Sequence, residues 1–187
     1  MQEQLRMIRY SAPVKARPFP EGYSYKMFTD TPEEIADWVD ISRKGDLIGE
    51  TDGAECFDRD VRNFPDADAK EDCFFIVDKD GRRVATSTVV DHKEGFGRVH
   101  MVAALPEMRG KGIGHAMLAV SLTLLEARGV SHIVLKSDDW RLAAVKTYLD
   151  AGFRPVIFHD PESDMEARWD KILENLNYGK VEYVYEK

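Results

Sequence analysis

From Cys73 onward the chain sets short apolar runs between turn residues, a pattern that predicts three consecutive strands. Residues 73–77 form an unbroken apolar run, and Lys79-Asp80-Gly81 supplies hairpin turn chemistry. Residues 83–91, rich in Val and Thr, make its partner, and a third strand over 98–105 follows the turn at Glu94-Gly95. Strands joined so closely form an antiparallel meander. The period then changes. Ile113, Met117, Val120 and Leu124 recur at helical spacing up to Arg128, and Gly129 stops the run. A short buried strand over 132–135 comes next, then a helix capped by Asp138 or Asp139 that runs to Ala151 before Gly152. A strand over 153–158, a helix over 161–176 and a last strand over 181–185 complete the back half.

Ahead of the meander the signals are local. Pro13, Pro18, Pro20 and Gly22 mark residues 11–22 as an extended arm over the surface. Alternating aromatics predict a strand over 23–28. Thr31 is a good N-cap, Pro32 suits the first helical position and Glu34 completes a capping box. Ile35, Trp38, Val39 and Ser42 then share a helix face that Gly45 ends, and a weaker helix covers 54–63 before Pro65. The pattern reads as one mixed α/β domain over residues 1–187, with an arm over 1–22 and a core over 73–158.

Composition narrows the function without naming it. A length of 187 residues with 43% hydrophobic and 32% charged residues fits one ordinary globular domain. The chain shows no apolar run near the ~20 residues of a membrane span, and Met1-Gln2-Glu3-Gln4 does not start a secretory signal, so a cytoplasmic protein with no membrane partner is expected. A formal charge of −8, spread along the chain, argues against nucleic acid as a partner. Cys56 and Cys73 read as free, partly buried thiols, and the five His (92, 100, 115, 132, 159) show no ligand spacing, so no metal is expected.

The chemistry concentrates where the meander meets the next helix, at Arg109-Gly110-Lys111-Gly112-Ile113-Gly114. Three alternating glycines let backbone approach a ligand and present several N–H groups, and the helix N-terminus favours an anion. With Arg109 and Lys111 added, this is a site for a phosphate or, better, a pyrophosphate. Other phosphate loops fail on spacing. A Walker A loop would need Gly at 105 and Ser or Thr at 112, where Leu105 and Gly112 stand, and a dinucleotide fingerprint would need Gly at Met117.

What does match is Arg/Gln-x-x-Gly-x-Gly/Ala after a strand, here Arg109, Gly112 and Gly114, followed by Ala-x-x-x-Tyr-x-x-x-Gly-Phe, here Ala144, Tyr148, Gly152 and Phe153. These ordered motifs resemble the GNAT acetyltransferase superfamily. The resemblance implies a mixed, mostly antiparallel sheet flanked by helices, with two central strands splayed to admit the cofactor. It implies acetyl-CoA as acyl donor, held by Arg109, Gly110, Lys111, Gly112, Ile113 and Gly114, with backbone near Ala104 against the pantetheine arm and the thioester carbonyl. The acceptor is then an amine, on a small molecule or a peptide, attacking the thioester directly; a homodimer is compatible with the resemblance.

The same resemblance makes Tyr148 the acid that protonates the departing thiolate, and a phenol near pKa 10 is protonated at neutral pH. For the base, His100 lies on the strand leading to the motif, on the face that strand alternation shares with Val102 and Ala104; Glu94, Asp138 and a water relay are alternatives. His115 reads as a surface or packing residue. Arg141 stands where the family often has Asn, so no role is carried over to it. Phe19, Tyr23, Tyr25, Phe28 and Trp38 could line an acceptor pocket but pack more simply as core, and the acidic stretch 160–174 is most simply a solvated helix face. The alternative function is a non-catalytic acyl-CoA-binding module.

Overall fold

A strand that the apolar pattern does not announce, β1 (Leu5–Tyr10), runs through the middle of the sheet. Leu5 and Met7 are fully buried, and the alternate position Arg9 is buried as well because Glu126 pairs with its guanidinium. The chain then crosses as an irregular arm to β2 (Ser24–Met27). The computed structural model describes residues 3–158, 160 and 163–186.

Helix α1 (Pro32–Lys44) begins as its sequence demands. Thr31 Oγ1 accepts from the Glu34 N–H, and the buried Glu34 carboxylate returns the bond to Thr31 N–H and takes Thr29 N–H at 2.8 Å. Trp38, Val39, Ile41 and Ser42 are buried, while Ile35 is only partly covered. The weak helix predicted over 54–63 is α2 (Ala54–Phe57) continued by a wider turn over Asp58–Arg62. A short α3 (Ala69–Asp72) leads directly into β3 (Cys73–Val77), β4 (Arg83–His92) and β5 (Phe96–Ala104), the expected antiparallel meander.

Helix α4 (Ile113–Ala127), β6 (His132–Ser137), α5 (Leu142–Asp150), β7 (Arg154–Phe158), α6 (Met165–Asn175) and β8 (Val184–Glu186) follow in the predicted order. The expected start of the sixth helix at Pro161 lies outside the described residues. Helix α5 starts at Leu142, later than the Asp138 or Asp139 cap predicts. Those carboxylates are committed elsewhere, Asp139 to Arg168 and Asp138 to Gln4 and Arg141. The eight strands lie in the order β2-β3-β4-β5-β6-β1-β7-β8, antiparallel except at β5–β6 and β7–β8.

Helices α4, α5 and α6 close over the centre of the sheet through Leu118, Leu122, Leu125, Val145 and Trp169 against Leu5, Met7, Ile133 and Leu135. A second cluster gathers Trp38 and Phe57 against Phe28, Phe75 and Val84. Phe28, Trp38 and Phe57 are packed ring to ring at 5.0–5.3 Å, so of the predicted aromatic cluster Phe28 and Trp38 are core, while Phe19 and Tyr23 are only partly covered and Tyr25 is exposed. Cys56 and Cys73 are buried free thiols. Among the described residues no helix is long and apolar enough to cross a membrane.

Candidate active site

Strands β5 and β6 pair only at Gly97–Ile133 and Arg98–Val134. Gly97 lies close under α4: a Cβ there would stand 2.9 Å from Leu125 Cδ2, so that side chain would have to shift. Beyond Arg98 the two strands part, and the parallel ladder gives way to a cleft.

The way β5 bends explains the parting. Its register against β4 slips between Thr86 and Thr88, so that Thr86 faces Ala103 and Thr88 faces His100. Met101 sits at this bulge with φ +49°, a left-handed conformation costly for a side-chain-bearing residue. The extra residue breaks the alternation. Val99 and Val102 both face α4 and α5, whereas His100 turns the other way, its ring 4.2 Å from that of Phe64. The expected grouping of His100 with Val102 therefore does not hold.

The cleft has two chambers. The inner one, about 60 Å³, is lined by Ser87, Val99, Val102, Gly114, Met117, Ser121, Ala144, Thr147 and Tyr148. The outer one, about 190 Å³, is lined by residues 98–102 and 135–138 with Gln4, Leu47, Arg141 and Tyr148. Val99, Val102 and Tyr148 are common to both. Tyr148 is thus at the joint, its ring edge-on to Phe153 at 6.1 Å. Burial pushes its pKa up to about 12, and the nearby Arg141 guanidinium acts in the opposite direction. The phenol keeps its proton at neutral pH.

The glycine loop reaches the inner chamber at Gly114, in the first turn of α4. Pro106–Met108 makes one tight turn, Gly110 and Gly112 take φ of +75° and +79°, and α4 begins at Ile113. Gly112 holds the N-cap position and has no side chain to offer, so the first-turn N–H groups are available to a ligand. Gly114 faces α5, where an added Cβ would stand 3.9 Å from Thr147 Oγ1 and narrow the chamber. The Arg109 side chain is 75% exposed, 3.8 Å from Asp46, and Lys111 is exposed. A helix N-terminus without a side-chain cap, two flanking cations and a groove leading to a buried phenol suit a pyrophosphate with an extended tail.

Ala104 ends β5 opposite Ala85, past the stretch of β5 that lines the cleft. His100 lines the outer chamber, with Nε2 2.9 Å from the Asp60 carbonyl. Burial pushes its pKa down to about 4, against the Asp60 carbonyl, so the ring is neutral and Nε2 donates that bond. His115 lies on α4 facing Asp150 at 3.2 Å. Glu94 is exposed in the β4–β5 turn, away from both chambers.

Two arginines lining the cleft carry no motif that would single them out. Arg141 binds Asp138 at 3.2 Å, donates to the Asp46 and Gly45 carbonyls after α1, and lies 4.3 Å over Trp140. It therefore ties the two banks of the outer chamber together. Arg98 lies over Phe64 at 5.7 Å on the same side of β5 as His100. A strand position with a long cation reads from sequence as surface, and only the splay of β5 from β6 turns it toward a cleft.

Comparison with known proteins agrees with this architecture. The chain is 26% identical over 149 residues to a mycothiol acetyltransferase of Thermobispora bispora, covering 76% of this chain and 50% of that protein. It is 30% identical over 158 residues to one from Streptomyces griseus subsp. griseus, covering 80% and 50%. It spans about half the length of these curated relatives. Among solved structures, a GCN5-related N-acetyltransferase from Sphaerobacter thermophilus superposes with a TM-score of 0.63 at 23% identity, over 81% of this chain and 48% of that one. The ribosomal-protein-S18-alanine N-acetyltransferase of Escherichia coli gives 0.55 at 17% identity, over 70% and 76%. These likenesses show the fold. The sequence profile of the Acetyltransferase (GNAT) family matches residues 9–153, the glycine loop and Tyr148 included, and the chain belongs to that family.

Proposed function

We propose that this chain is an acetyl-CoA-dependent N-acetyltransferase of the cytoplasm. The observation that carries the reading is that Gly114, in the first turn of the uncapped α4, and Tyr148 line the same inner chamber, with Tyr148 also on the wall of the outer one. The first-turn N–H groups of α4 with Arg109 and Lys111 hold the pyrophosphate. The unpaired edge of β5 beyond Arg98 takes the pantetheine arm as a strand takes its neighbour.

An acceptor amine entering through the outer chamber attacks the acetyl carbonyl carbon. A C–N bond forms, the C–S bond breaks, and the amine loses a proton to water or to a carboxylate such as Asp138. A backbone N–H from the stretch between Val99 and Ala104 stabilises the developing oxyanion. Tyr148 passes its phenolic proton to the departing sulfur, and Arg141 assists by lowering the cost of the phenolate. His100, neutral and bonded to the Asp60 carbonyl, serves as wall rather than base in this scheme.

The test is release of free CoA from acetyl-CoA over a panel of amines, with a mycothiol precursor included because of the relatives' name. Wild type is expected to turn over at least one amine, and Tyr148→Phe to lose about 10²–10⁴-fold in rate while still binding acetyl-CoA. Binding without turnover across the panel would leave a non-catalytic acyl-CoA-binding module instead.

A further inference from the structure

Arg98 is a cation that the fold leaves uncompensated. It is partly buried on the wall of the outer chamber, packed over Phe64, and its pKa is lowered by burial and then by the neighbouring Arg6. Among the described residues its guanidinium has no hydrogen-bonded or ion-paired partner. The nearby carboxylates are committed: Asp60 to Arg59, Glu186 to Arg6 at 3.6 Å, and Asp138 to Arg141 and Gln4. This occurs in a chain with 34 acidic and 26 basic residues, where a carboxylate partner would be easy to supply. Lys136 lines the same chamber and is register-paired with Arg6, which adds positive charge at the rim.

Withdrawing a guanidinium from water without an anion is costly, and in a binding chamber the missing anion is most simply the ligand's. The donor does not supply it. Its phosphates belong at the glycine loop, which opens on the α4–α5 side, while Arg98 and His100 face the opposite side of β5. That leaves the acceptor. Arg98 and Lys136 line the same chamber as Tyr148, so an acceptor whose amine approaches Tyr148 lies within reach of these cations, an arrangement that matches a small molecule with an anion at one end and an amine at the other.

Building on the acyl-transfer reading above, we propose that the acceptor is an amine that carries an anionic group, a carboxylate or a phosphate. Arg98 receives the anion, with Lys136 at the rim, and the amine lies toward Tyr148 and the thioester. A charge-assisted bond of this kind favours the anionic acceptor by about 10- to 100-fold.

The experiment compares kcat/KM at saturating acetyl-CoA for two matched pairs: phenylalanine against phenethylamine, and O-phosphoethanolamine against ethanolamine. The expected result is a preference of about tenfold or more for the anionic member of at least one pair. Which pair shows it distinguishes carboxylate from phosphate. In Arg98→Met that ratio should fall to about one through a raised KM for the anionic member, and Arg98→Lys should keep part of it. No preference in either pair of the wild type, or a preference that survives in Arg98→Met, overturns the proposal. Should Arg98→Met not fold, the wild-type ratios and Arg98→Lys decide. Failure of the acyl-transfer reading itself has a different signature, the absence of any stabilisation by acetyl-CoA.

Discussion

At the scale of single residues, the environment rather than the residue type assigns the titrating groups. Tyr148 and His100 both touch the cleft, and burial moves each away from its charged form: the phenol up to about 12, the imidazole down to about 4. For His100 this has a stability consequence. Its folded-state pKa lies below the unfolded value of 6.5, so between about pH 6.5 and about 4 the unfolded chain binds the extra proton. Stability should therefore fall as pH drops through that window, by an amount on the order of 1–3 kcal/mol. Glutamine can keep the bond to the Asp60 carbonyl without titrating, so His100→Gln should flatten this part of a plot of unfolding midpoint against pH. Equal slopes in the two proteins would show that His100 is not buried as described.

At the scale of elements, local signals fixed their own boundaries where the interactions behind them are local. The capping box of α1 involves residues within five positions of one another, and it is present as read. Thr31→Ala should cost about 1 kcal/mol and lower the midpoint by about 2–4 °C in a chain of this length, measured by circular dichroism at 222 nm. An unchanged midpoint would mean that Glu34, held also by Thr29 and Arg83, anchors the helix start without the Thr31 side chain. The meander was legible for the same reason, since turn chemistry and apolar runs are both short-range. What escaped depends on distant partners. Strand β1 places arginines between its apolar residues, and Arg9 can be buried only because Glu126, far along the chain, meets it. The bulge at Met101 has no glycine to announce it, so simple alternation misplaces His100. The start of α5 shifted because Asp139 pairs with Arg168 of α6.

At the scale of the molecule, the site comes from how the two halves of the sheet meet. The meander contributes β5 and the glycine loop, and the back half contributes β6 and the helix carrying Tyr148; the cleft exists because those halves stop pairing after Arg98. The conformation of the glycine loop was readable, because a tight turn into a helix needs glycine where φ is positive, at Gly110 and Gly112. The outer chamber was not, because Arg98, Arg141 and Leu47 come together only through the fold.

Whether the cleft holds acyl-CoA is decided by the thermal unfolding midpoint of the wild-type protein, freed of copurified CoA, with and without saturating acetyl-CoA, using NAD and ATP as controls. A ligand at 100 times its dissociation constant stabilises by ~2.7 kcal/mol, so the midpoint should rise by about 5–10 °C with acetyl-CoA and not with the controls. A midpoint that acetyl-CoA leaves unmoved would mean that the uncapped helix and the cleft behind it do not bind acyl-CoA, and the proposed activity would fall with it.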